Sequence, residues 1–147
     1  MVIHPPVALA FGTIAGFGLN WLYPLPFAPL SLPRHWIGLG LFLAGIFLAA
    51  WSLRTFRKAR TRVLTSQPAS TVVTTGPYAF SRNPIYVGMF LGLAGFAIGF
   101  NTLWFLVVLV AMYFVIRFGV IAREESYLEH KFGARYLDYK KRVRRWV

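Results

Sequence analysis

Four apolar runs constrain the fold of this chain more than any other feature of its sequence. They cover about residues 7–23, 36–53, 85–100 and 103–121, and none of them contains an acidic residue. Each run approaches the roughly 20 residues that a helix needs to cross a hydrocarbon core about 30 Å thick. Since 57% of its residues are hydrophobic, the chain is predicted to be an all-α integral membrane protein, with a single membrane domain over residues 1–147. The prediction comprises four transmembrane helices, a cytoplasmic loop and a C-terminal amphipathic helix.

The distribution of charge orients these spans. The chain contains sixteen Lys and Arg residues and four acidic residues, which gives a net charge of +12. Lys and Arg concentrate in residues 54–84 and in the tail, whereas residues 24–35 and 101–102 carry one and none. Because cytoplasmic segments of membrane proteins carry the excess of Lys and Arg, both termini are predicted to lie in the cytoplasm.

The densest basic cluster comprises Arg54, Arg57, Lys58, Arg60 and Arg62. We interpret this cluster as a contact with the anionic headgroups of membrane lipids, with substrate binding as the alternative. The basic residues flank apolar spans and form no separate soluble face, so nucleic acid is not predicted as a partner.

Other features of the composition limit the chemistry of the chain. No Cys is present, which excludes disulfides and thiolate metal ligands. His4, His35 and His130 are too far apart in the sequence to suggest a zinc site, and no metal site is predicted. Residues 1–6 lack the Lys or Arg of a signal peptide, so we expect the first span to be retained.

Small residues within the spans predict close packing of helices. Ala8, Gly12 and Gly16 recur every fourth residue in the first span. A second stripe, in the third span, consists of Gly88, Gly92, Gly95 and Gly99. Such stripes let two helix backbones approach each other within one chain or between two copies, so they leave the oligomeric state open. Only Asn101 and Thr102 separate the third and fourth spans, which predicts a tight antiparallel hairpin.

A polar loop, residues 75–88, precedes this hairpin. It contains the turn dipeptides Gly76-Pro77 and Asn83-Pro84, in which each proline keeps the preceding residue out of the α region. The loop ends where an apolar helix begins, and the N-terminus of that helix offers free backbone N–H groups. We therefore expect a shaped loop with donors available to a ligand.

A pair of carboxylates, Glu124 and Glu125, follows the hairpin in a chain with few acids. Because a hairpin returns the chain to the same side of the membrane, we expect this pair to form one polar site with the loop. The alternative is a solvated pair that balances Arg123 and Lys131, as exposed ion pairs commonly do. Arg117, in the last turns of the fourth span, either snorkels to the interface or lines a polar cavity.

After residue 121 the apolar pattern becomes amphipathic. The apolar positions are Leu128, Phe132, Tyr136, Tyr139 and Val143, at spacings of three and four residues. This spacing predicts a helix with one apolar face, with Gly133 as its potential interruption. We expect the helix to lie along the membrane surface or to fold back over the loop. Residues 65–75, mostly Ser, Thr and Val, are predicted to be an extended connector.

Together these segments resemble the isoprenylcysteine carboxyl methyltransferase and phospholipid methyltransferase superfamily of integral membrane enzymes. The resemblance covers about residues 75–143 and rests on Gly76-Pro77-Tyr78, on Arg82 to Gly88, on the Glu124-Glu125 pair after a two-span hairpin, and on Phe132-Gly133 followed by Tyr136 and Tyr139. The superfamily's motif is Arg-His-Pro-x-Tyr-x-Gly followed by Glu-Glu, and this chain has Asn83 in place of the His. Asn cannot titrate near neutral pH as His does, so a proton-handling role of that His would be lost or moved here.

The resemblance implies an S-adenosylmethionine site between the loop and the tail helix, with a hydrophobic or lipid-borne methyl acceptor arriving from the bilayer. Glu124 and Glu125 are then expected to hold the amino group or the ribose of this cofactor. The other expected cofactor-binding residues are Gly76, Pro77, Tyr78, Asn83, Pro84, Tyr86 and Gly88. An anionic acceptor or headgroup would meet Arg82 or Arg117. The predicted catalytic residues are Arg82, Tyr86, Arg117 and Glu125.

Two other functions stay open at this point. The superfamily also resembles the C-terminal part of membrane sterol reductases, so an NADPH-dependent reductase is one alternative, although no Gly-x-Gly-x-x-Gly is present. A non-enzymatic membrane protein, such as a transporter or a scaffold subunit, is the other. For a methyltransferase, the sequence does not distinguish an isoprenylcysteine carboxylate-like acceptor from a phospholipid amine, a thiol or a small hydrophobic compound.

Overall fold

A computed structural model describes residues 4–29, 31–60 and 69–147. These residues form helices and no strand, which confirms the all-α prediction. The six α-helices are α1 Pro5–Leu22, α2 Arg34–Lys58, α3 Pro84–Gly99, α4 Leu103–Ile116, α5 Ala122–Phe132 and α6 Ala134–Arg142. A 3₁₀ turn at Gly76–Ala79 precedes α3, and a π-helical turn at Arg117–Ile121 joins α4 to α5. Arg62 of the basic cluster and residues 65–68 of the predicted connector lie outside the described residues.

Three of the described helices are long and apolar enough to cross a membrane. They are α1, α2 and the continuous helix Leu103–Phe132, which contains α4, the π-helical turn and α5. The other apolar helix, α3, has 16 residues and is about 24 Å long at 1.5 Å per residue. These three to four apolar helices are the architecture of a multi-pass membrane protein.

The helices begin where the local sequence favours it. Pro5 and Pro84 occupy the first turns of α1 and α3, where a proline loses no intrahelical hydrogen bond and its φ is already helical. The hydroxyl of Thr102 accepts a hydrogen bond from the backbone N–H of Trp104 at 3.3 Å, which satisfies one of the free donors in the first turn of α4. Gly133 has φ +50°, a conformation that favours glycine, and it separates α5 from α6.

Glycines bring α2 and α3 into backbone contact, as the small-residue stripes predict. A Cβ atom added to Gly88 would lie 2.7 Å from the carbonyl oxygen of Gly45 in α2. The stripe of the first span meets α4 instead, because a Cβ added to Gly16 would lie 2.8 Å from the ring of Phe105. Interiors are packed too densely to accept these atoms without movement. At these positions the stripes therefore serve packing within the chain.

The main core lies between α3, α4 and the π-helical turn. Its buried residues are Tyr86, Leu93, Ala97, Phe105, Val108, Met112, Ile116, Val120 and Ile121. Tyr86 is the polar member of this cluster, at the N-terminal end of α3. Packing of α3 on α4 therefore holds the Tyr86 ring at the edge of the core, next to the polar loop.

The apolar stripe of the tail folds back over the loop. A second buried cluster is formed by Val72, Tyr136, Tyr139 and Val143, with Leu128 and Phe132 packed against it. The hydroxyl of Tyr139 donates a hydrogen bond to the backbone carbonyl of Tyr78 at 2.7 Å. Of the two positions predicted for the tail, the structure shows the second, with α6 fastened to the 3₁₀ turn and to the connector.

Asn101 fastens the Pro-rich segment between α1 and α2 to the α3–α4 turn. Its Oδ1 accepts hydrogen bonds from the backbone N–H groups of Phe27 at 3.1 Å and Ala28 at 2.8 Å. Its Nδ2 donates to the carbonyl oxygen of Ala28 at 3.1 Å. Asn101 also has φ +51°, a conformation that Asn adopts more readily than most residues other than glycine. One side chain thus forms the hairpin turn and anchors the neighbouring segment.

Replacement of Asn101 by alanine is expected to lower the free energy of unfolding by about 2 kcal/mol, because two backbone donors lose their acceptor and the positive φ becomes strained. Asn101→Gly is the matched variant, since glycine keeps the φ and loses only the hydrogen bonds, and it is expected to cost about 1 kcal/mol. Denaturant titration in detergent micelles measures both changes. Wild-type stability in both variants would show that this clamp contributes nothing.

Candidate functional site

A cavity lies where the loop, the connector, α5 and α6 meet. Six of the predicted site residues line it: Tyr78, Arg82, Asn83, Tyr86, Glu124 and Glu125. Much of the remaining wall is apolar or aromatic, and it includes Phe56, Leu128 and Tyr139. The two polar segments that flank the α3–α4 hairpin are therefore side by side, and each contributes charged groups to one cavity.

Five predicted site residues stand outside the lining of this cavity, as the described residues define it. They are Gly76, Pro77, Pro84, Gly88 and Arg117. Gly76 has φ +59°, which favours glycine, and the two prolines are buried in the turns that shape the loop. Gly88 faces Gly45 of α2, and the Arg117 guanidinium lies 5.2 Å from the ring centre of Phe118. The structure favours backbone and packing roles for the first four.

Glu124 reaches the cavity from the first turn of α5 and meets Tyr86 of α3. The Tyr86 hydroxyl lies 3.0 Å from Oε1 and 3.2 Å from Oε2 of Glu124 and donates to this carboxylate. Within the described ranges, Glu125, Glu129 and Asp138 each pair with Lys or Arg, whereas Glu124 forms no such ion pair. A partly buried carboxylate without a basic partner favours a cationic group of a ligand, because buried charges require a counter-charge.

Glu125, one residue further along α5, is held by two arginines. Arg145 donates two hydrogen bonds to its carboxylate, from Nε at 3.0 Å and from Nη2 at 2.8 Å. Nη1 of Arg82 lies 2.9 Å from Oε1 of the same carboxylate. A bidentate contact of this kind fixes both partners. The structure therefore favours Glu125 as a support for the two arginines, and Glu124 as the carboxylate that is open to a ligand.

Arg82 is almost fully buried, with 8% of its side chain exposed. Its Nη1 forms the ion pair with Glu125 without the geometry of a hydrogen bond, and its buried Nε has no hydrogen-bond partner among the described residues. A guanidinium carries five N–H donors, and leaving a buried donor without an acceptor costs roughly 1–3 kcal/mol. Arg82 therefore contributes to the wall of the cavity a guanidinium whose Nε is left unpaired by the described residues.

Residues 143–147, termed the strap below, complete the site, and no motif in the sequence points to them. The carbonyl oxygen of Arg144 accepts a hydrogen bond from the backbone N–H of Arg82 at 3.0 Å. The carbonyl oxygen of Arg145 accepts one from Nδ2 of Asn83, also at 3.0 Å. Asn83, which stands where the superfamily has His, thus uses its side-chain donor to hold the strap.

Trp146 anchors the strap on the helices. Its ring packs against Phe90 of α3 and Tyr113 of α4, with centroid distances of 5.5 Å to both. Aromatic pairs at this separation add to the free energy gained by burial. The available cue in the sequence was Trp146 itself, a large aromatic residue that follows a run of basic residues.

Three buried tyrosines give the site neutral hydrogen-bonding groups. Burial raises the pKa of Tyr78, of Tyr136 and of Tyr139 above the ordinary value of tyrosine, so their hydroxyls stay protonated at neutral pH. On the strap, the hydrogen bonds with Glu125 raise the pKa of Arg145. This ion pair is therefore fully charged at neutral pH.

Comparison with known proteins identifies the family. The model of the phospholipid methyltransferase family matches residues 33–135, which is more than half of the chain. The chain belongs to the phospholipid methyltransferase family. This family is part of the isoprenylcysteine carboxyl methyltransferase-like superfamily of membrane methyltransferases, so the resemblance seen in the sequence is confirmed. Membership supports a membrane methyltransferase that acts on a lipid-type substrate.

Two curated proteins are similar to parts of this chain. An uncharacterized protein of Haemophilus influenzae is 49% identical over 47 residues, which are 32% of this chain and 73% of that protein. The nickel-cobalt-cadmium resistance protein NccN of Alcaligenes xylosoxydans xylosoxydans is 28% identical over 80 residues, which are 54% of this chain and only 37% of NccN. No solved structure matches the chain significantly. The family match ends at residue 135, so Tyr136, Tyr139 and the strap lie beyond it.

Proposed function

We propose that the protein is an S-adenosylmethionine-dependent methyltransferase that acts on a hydrophobic or lipid-borne acceptor at the cytoplasmic face of a membrane. The observation that carries this proposal is the charge arrangement of one cavity. Glu124 presents a carboxylate without a basic partner among the described residues, and Arg82 presents a guanidinium that shares the single carboxylate of Glu125 with Arg145 and has an unpaired Nε. A ligand with a cationic and an anionic end matches this pair, and the amino-acid part of S-adenosylmethionine has both.

The residues of the cavity fit the rest of that cofactor as well. Tyr78 and Tyr86 offer aromatic faces, which attract cations such as a sulfonium and also stack with aromatic bases. Tyr86 orients the Glu124 carboxylate through its hydroxyl, so the counter-charge for a cation is held in place before a ligand arrives. Such preorganisation lowers the cost of binding.

Bound in this cavity, S-adenosylmethionine would supply an electrophilic methyl group on a good leaving group, so the protein has mainly to align and to exclude water. Alignment of two reactants can contribute several kcal/mol, up to about 7–11 in favourable cases. α6 and the strap cover the loop, through Tyr139 and through the carbonyls of Arg144 and Arg145. These contacts are suited to shielding the reaction from water.

The acceptor determines whether a base is needed. A carboxylate acceptor forms its new bond to carbon without losing a proton, whereas a protonated amine must lose its proton before its nitrogen can attack the methyl carbon. Asn83 cannot take up a proton near neutral pH, and its amide already holds the strap.

Both the isoprenylcysteine-type carboxylate and the phospholipid amine remain within this proposal, and the family name favours the phospholipid. If all four apolar helices span the membrane, both termini and the cavity lie on one side of it, and the concentration of Lys and Arg near the cavity favours the cytoplasmic side. The similarity to NccN, which is named as a nickel-cobalt-cadmium resistance protein, suggests metal ions as an alternative ligand. Among the described residues, however, no group of three or more His, Asp or Glu side chains is placed to hold one.

Ligand-dependent stability of the purified protein in detergent tests the cofactor. S-adenosylhomocysteine at one hundred times its Kd is expected to raise the free energy of unfolding by about 2.7 kcal/mol, because it binds only the folded state. NADPH at the same concentration is expected to have no effect. Stabilisation by NADPH alone would replace the methyltransferase by a reductase, and no response to either would favour a non-enzymatic protein.

Methyl-labelled S-adenosylmethionine added to membranes that contain the protein then identifies the acceptor. Extraction separates lipid from protein, and we expect the label in the lipid fraction for a phospholipid acceptor and in the protein fraction for a prenylated cysteine. Membranes with Glu124→Gln protein are the control. At limiting cofactor, label that is equal in wild-type and Glu124→Gln membranes would contradict the proposed role of Glu124, and label no higher than in membranes without the protein would contradict the proposed activity.

A further inference from the structure

Three charged side chains form a continuous series of contacts from the strap to the cavity. Arg145 donates to both oxygens of Glu125, and Oε1 of Glu125 lies 2.9 Å from Nη1 of Arg82. The exposed fractions of these side chains are 28% for Arg145, 10% for Glu125 and 8% for Arg82. Burial therefore increases toward the cavity, and two guanidinium groups share one carboxylate.

This series carries one excess positive charge, because two guanidinium groups share one carboxylate. Glu125 accepts two aligned hydrogen bonds from Arg145, whereas Arg82 meets it only through Nη1, in an ion pair that lacks hydrogen-bond geometry, and Nε of Arg82 has no hydrogen-bond partner among the described residues. Orphaned buried donors are rare in folded proteins, and a buried cation is costly unless it is fully paired. A ligand with an oxyanion would supply the negative charge that this series lacks and an acceptor for Nε of Arg82. Guanidinium geometry matches carboxylate and phosphate oxygens, so the ligand group is one of these.

We propose that Arg82 forms an oxyanion subsite of the cavity, for a carboxylate or a phosphate, and that Arg145 of the strap positions Arg82 through Glu125. Arg145 is thus a positioning residue that makes no contact with the ligand itself. The proposal depends on the proposed function only for which molecule carries the oxyanion: the methyl donor through its carboxylate, or the acceptor through a headgroup phosphate or carboxylate.

The backbone around this series keeps it in register. The backbone N–H of Arg82 donates to the carbonyl of Arg144, and Nδ2 of Asn83 donates to the carbonyl of Arg145, each at 3.0 Å. The backbone of the strap is therefore fixed next to Arg82, the residue that the Arg145 side chain positions. Arg145 lies beyond the range of the family match.

Substitutions of Arg145 and of its neighbour Arg144 distinguish a loss of Arg82 positioning from a general loss of protein stability. Arg145→Gln removes both the charge and the bidentate contact with Glu125, and Arg145→Lys keeps the charge without the fork. Arg144→Gln is the matched control, because Arg144 contacts the loop through its backbone carbonyl, which the substitution leaves in place. Thermal unfolding of each variant in detergent shows whether it is folded before binding is measured.

Two pairs of ligands identify the source of the oxyanion by direct binding measurements. 5′-Methylthioadenosine lacks the carboxylate and the ammonium of S-adenosylhomocysteine, and dodecanol lacks the charge of dodecyl phosphate. If the donor supplies the oxyanion, Arg145→Gln is expected to weaken S-adenosylhomocysteine about tenfold and methylthioadenosine less than about twofold, as for loss of one charge-assisted contact. If the acceptor supplies it, the same selective loss is expected for dodecyl phosphate against dodecanol. Arg145→Lys should be intermediate, and Arg144→Gln should match the wild type.

Wild-type affinity of Arg145→Gln for both anionic ligands overturns the proposal, and so does an equal loss for charged and neutral ligands, which indicates general distortion. Failure of the proposed function has a different signature. If the wild-type protein prefers dodecyl phosphate over dodecanol but does not bind S-adenosylhomocysteine, the oxyanion subsite is supported and the proposed methyl donor is contradicted. If Arg145→Gln does not fold, Arg145→Lys carries the same comparison.

Discussion

Glu124→Gln is expected to weaken the binding of S-adenosylmethionine about 30- to 150-fold, and to lower methyl transfer at limiting cofactor by the same factor. The amide keeps the shape of the side chain and removes its charge. A hydrogen bond to a charged group contributes about 1.5–3 kcal/mol, and each 1.4 kcal/mol corresponds to about tenfold in affinity. The effect should lie near the upper end because, within the described chain, Glu124 has the Tyr86 hydroxyl and no basic side chain as its partner.

Two further variants show whether this loss comes from the charge of Glu124. Glu129→Gln removes another carboxylate of α5, one that pairs with Lys140 outside the cavity, and its binding should equal that of the wild type. Tyr86→Phe leaves the carboxylate but removes the hydroxyl that orients it, so a loss of about three- to tenfold is expected, as for one neutral hydrogen bond. Equilibrium binding of labelled S-adenosylmethionine measures all three. A Glu124→Gln protein within twofold of the wild type would remove Glu124 from the site.

The helical frame and the meeting of the two polar segments follow from properties that are local in sequence. Apolar runs of sufficient length predict helices, small-residue stripes predict close helix contacts, and a two-residue turn at Asn101 and Thr102 predicts a hairpin. Once the α3–α4 hairpin forms, the residues that precede α3 and those that follow α4 must lie at the same end of the helix pair. This is why Tyr86 and Glu124, 38 positions apart, were expected in one site.

The choice between Glu124 and Glu125 could not be made from the sequence. Adjacent residues of a helix differ in direction by about 100°, so one of the pair can enter the cavity while the other points to a neighbouring element. The π-helical turn Arg117–Ile121 adds a residue to one turn and rotates everything after it. No periodic pattern announces such a turn, and it lies directly before the pair.

The partners of Glu125 were equally hidden. Arg145 is one of many basic residues in the tail, and its contact depends on how Gly133 turns α6 and on where Trp146 packs. Both are consequences of tertiary structure, which local patterns do not encode. The sequence therefore predicted that the two polar segments meet and assigned ligand contacts to both glutamates, whereas the two arginines that hold Glu125 favour Glu124 as the ligand-binding one.

Gly88 received two predictions from the sequence, one as a cofactor-binding residue of the motif and one as a member of a packing stripe. The structure distinguishes them, because a Cβ at Gly88 would lie 2.7 Å from the carbonyl oxygen of Gly45 and 3.3 Å from the backbone nitrogen of Ala49. Both contacts are with the backbone of α2, which cannot move aside as a flexible side chain can. The glycine is thus required for the approach of two helices.

Gly88→Ala is therefore expected to lower the free energy of unfolding by about 2–3 kcal/mol, the upper range for an overpacked core. Gly92→Ala, one turn further along α3, is the matched control. A Cβ there meets only Phe42 among the described residues, at an ordinary 3.8 Å, and alanine favours a helix over glycine by up to about 1 kcal/mol. Denaturant titration in detergent should show opposite signs for the two variants. Folded Gly88→Ala protein should bind S-adenosylhomocysteine as the wild type does, since Gly88 lies away from the cavity lining. Unchanged stability with weakened binding would instead return Gly88 to the cofactor site.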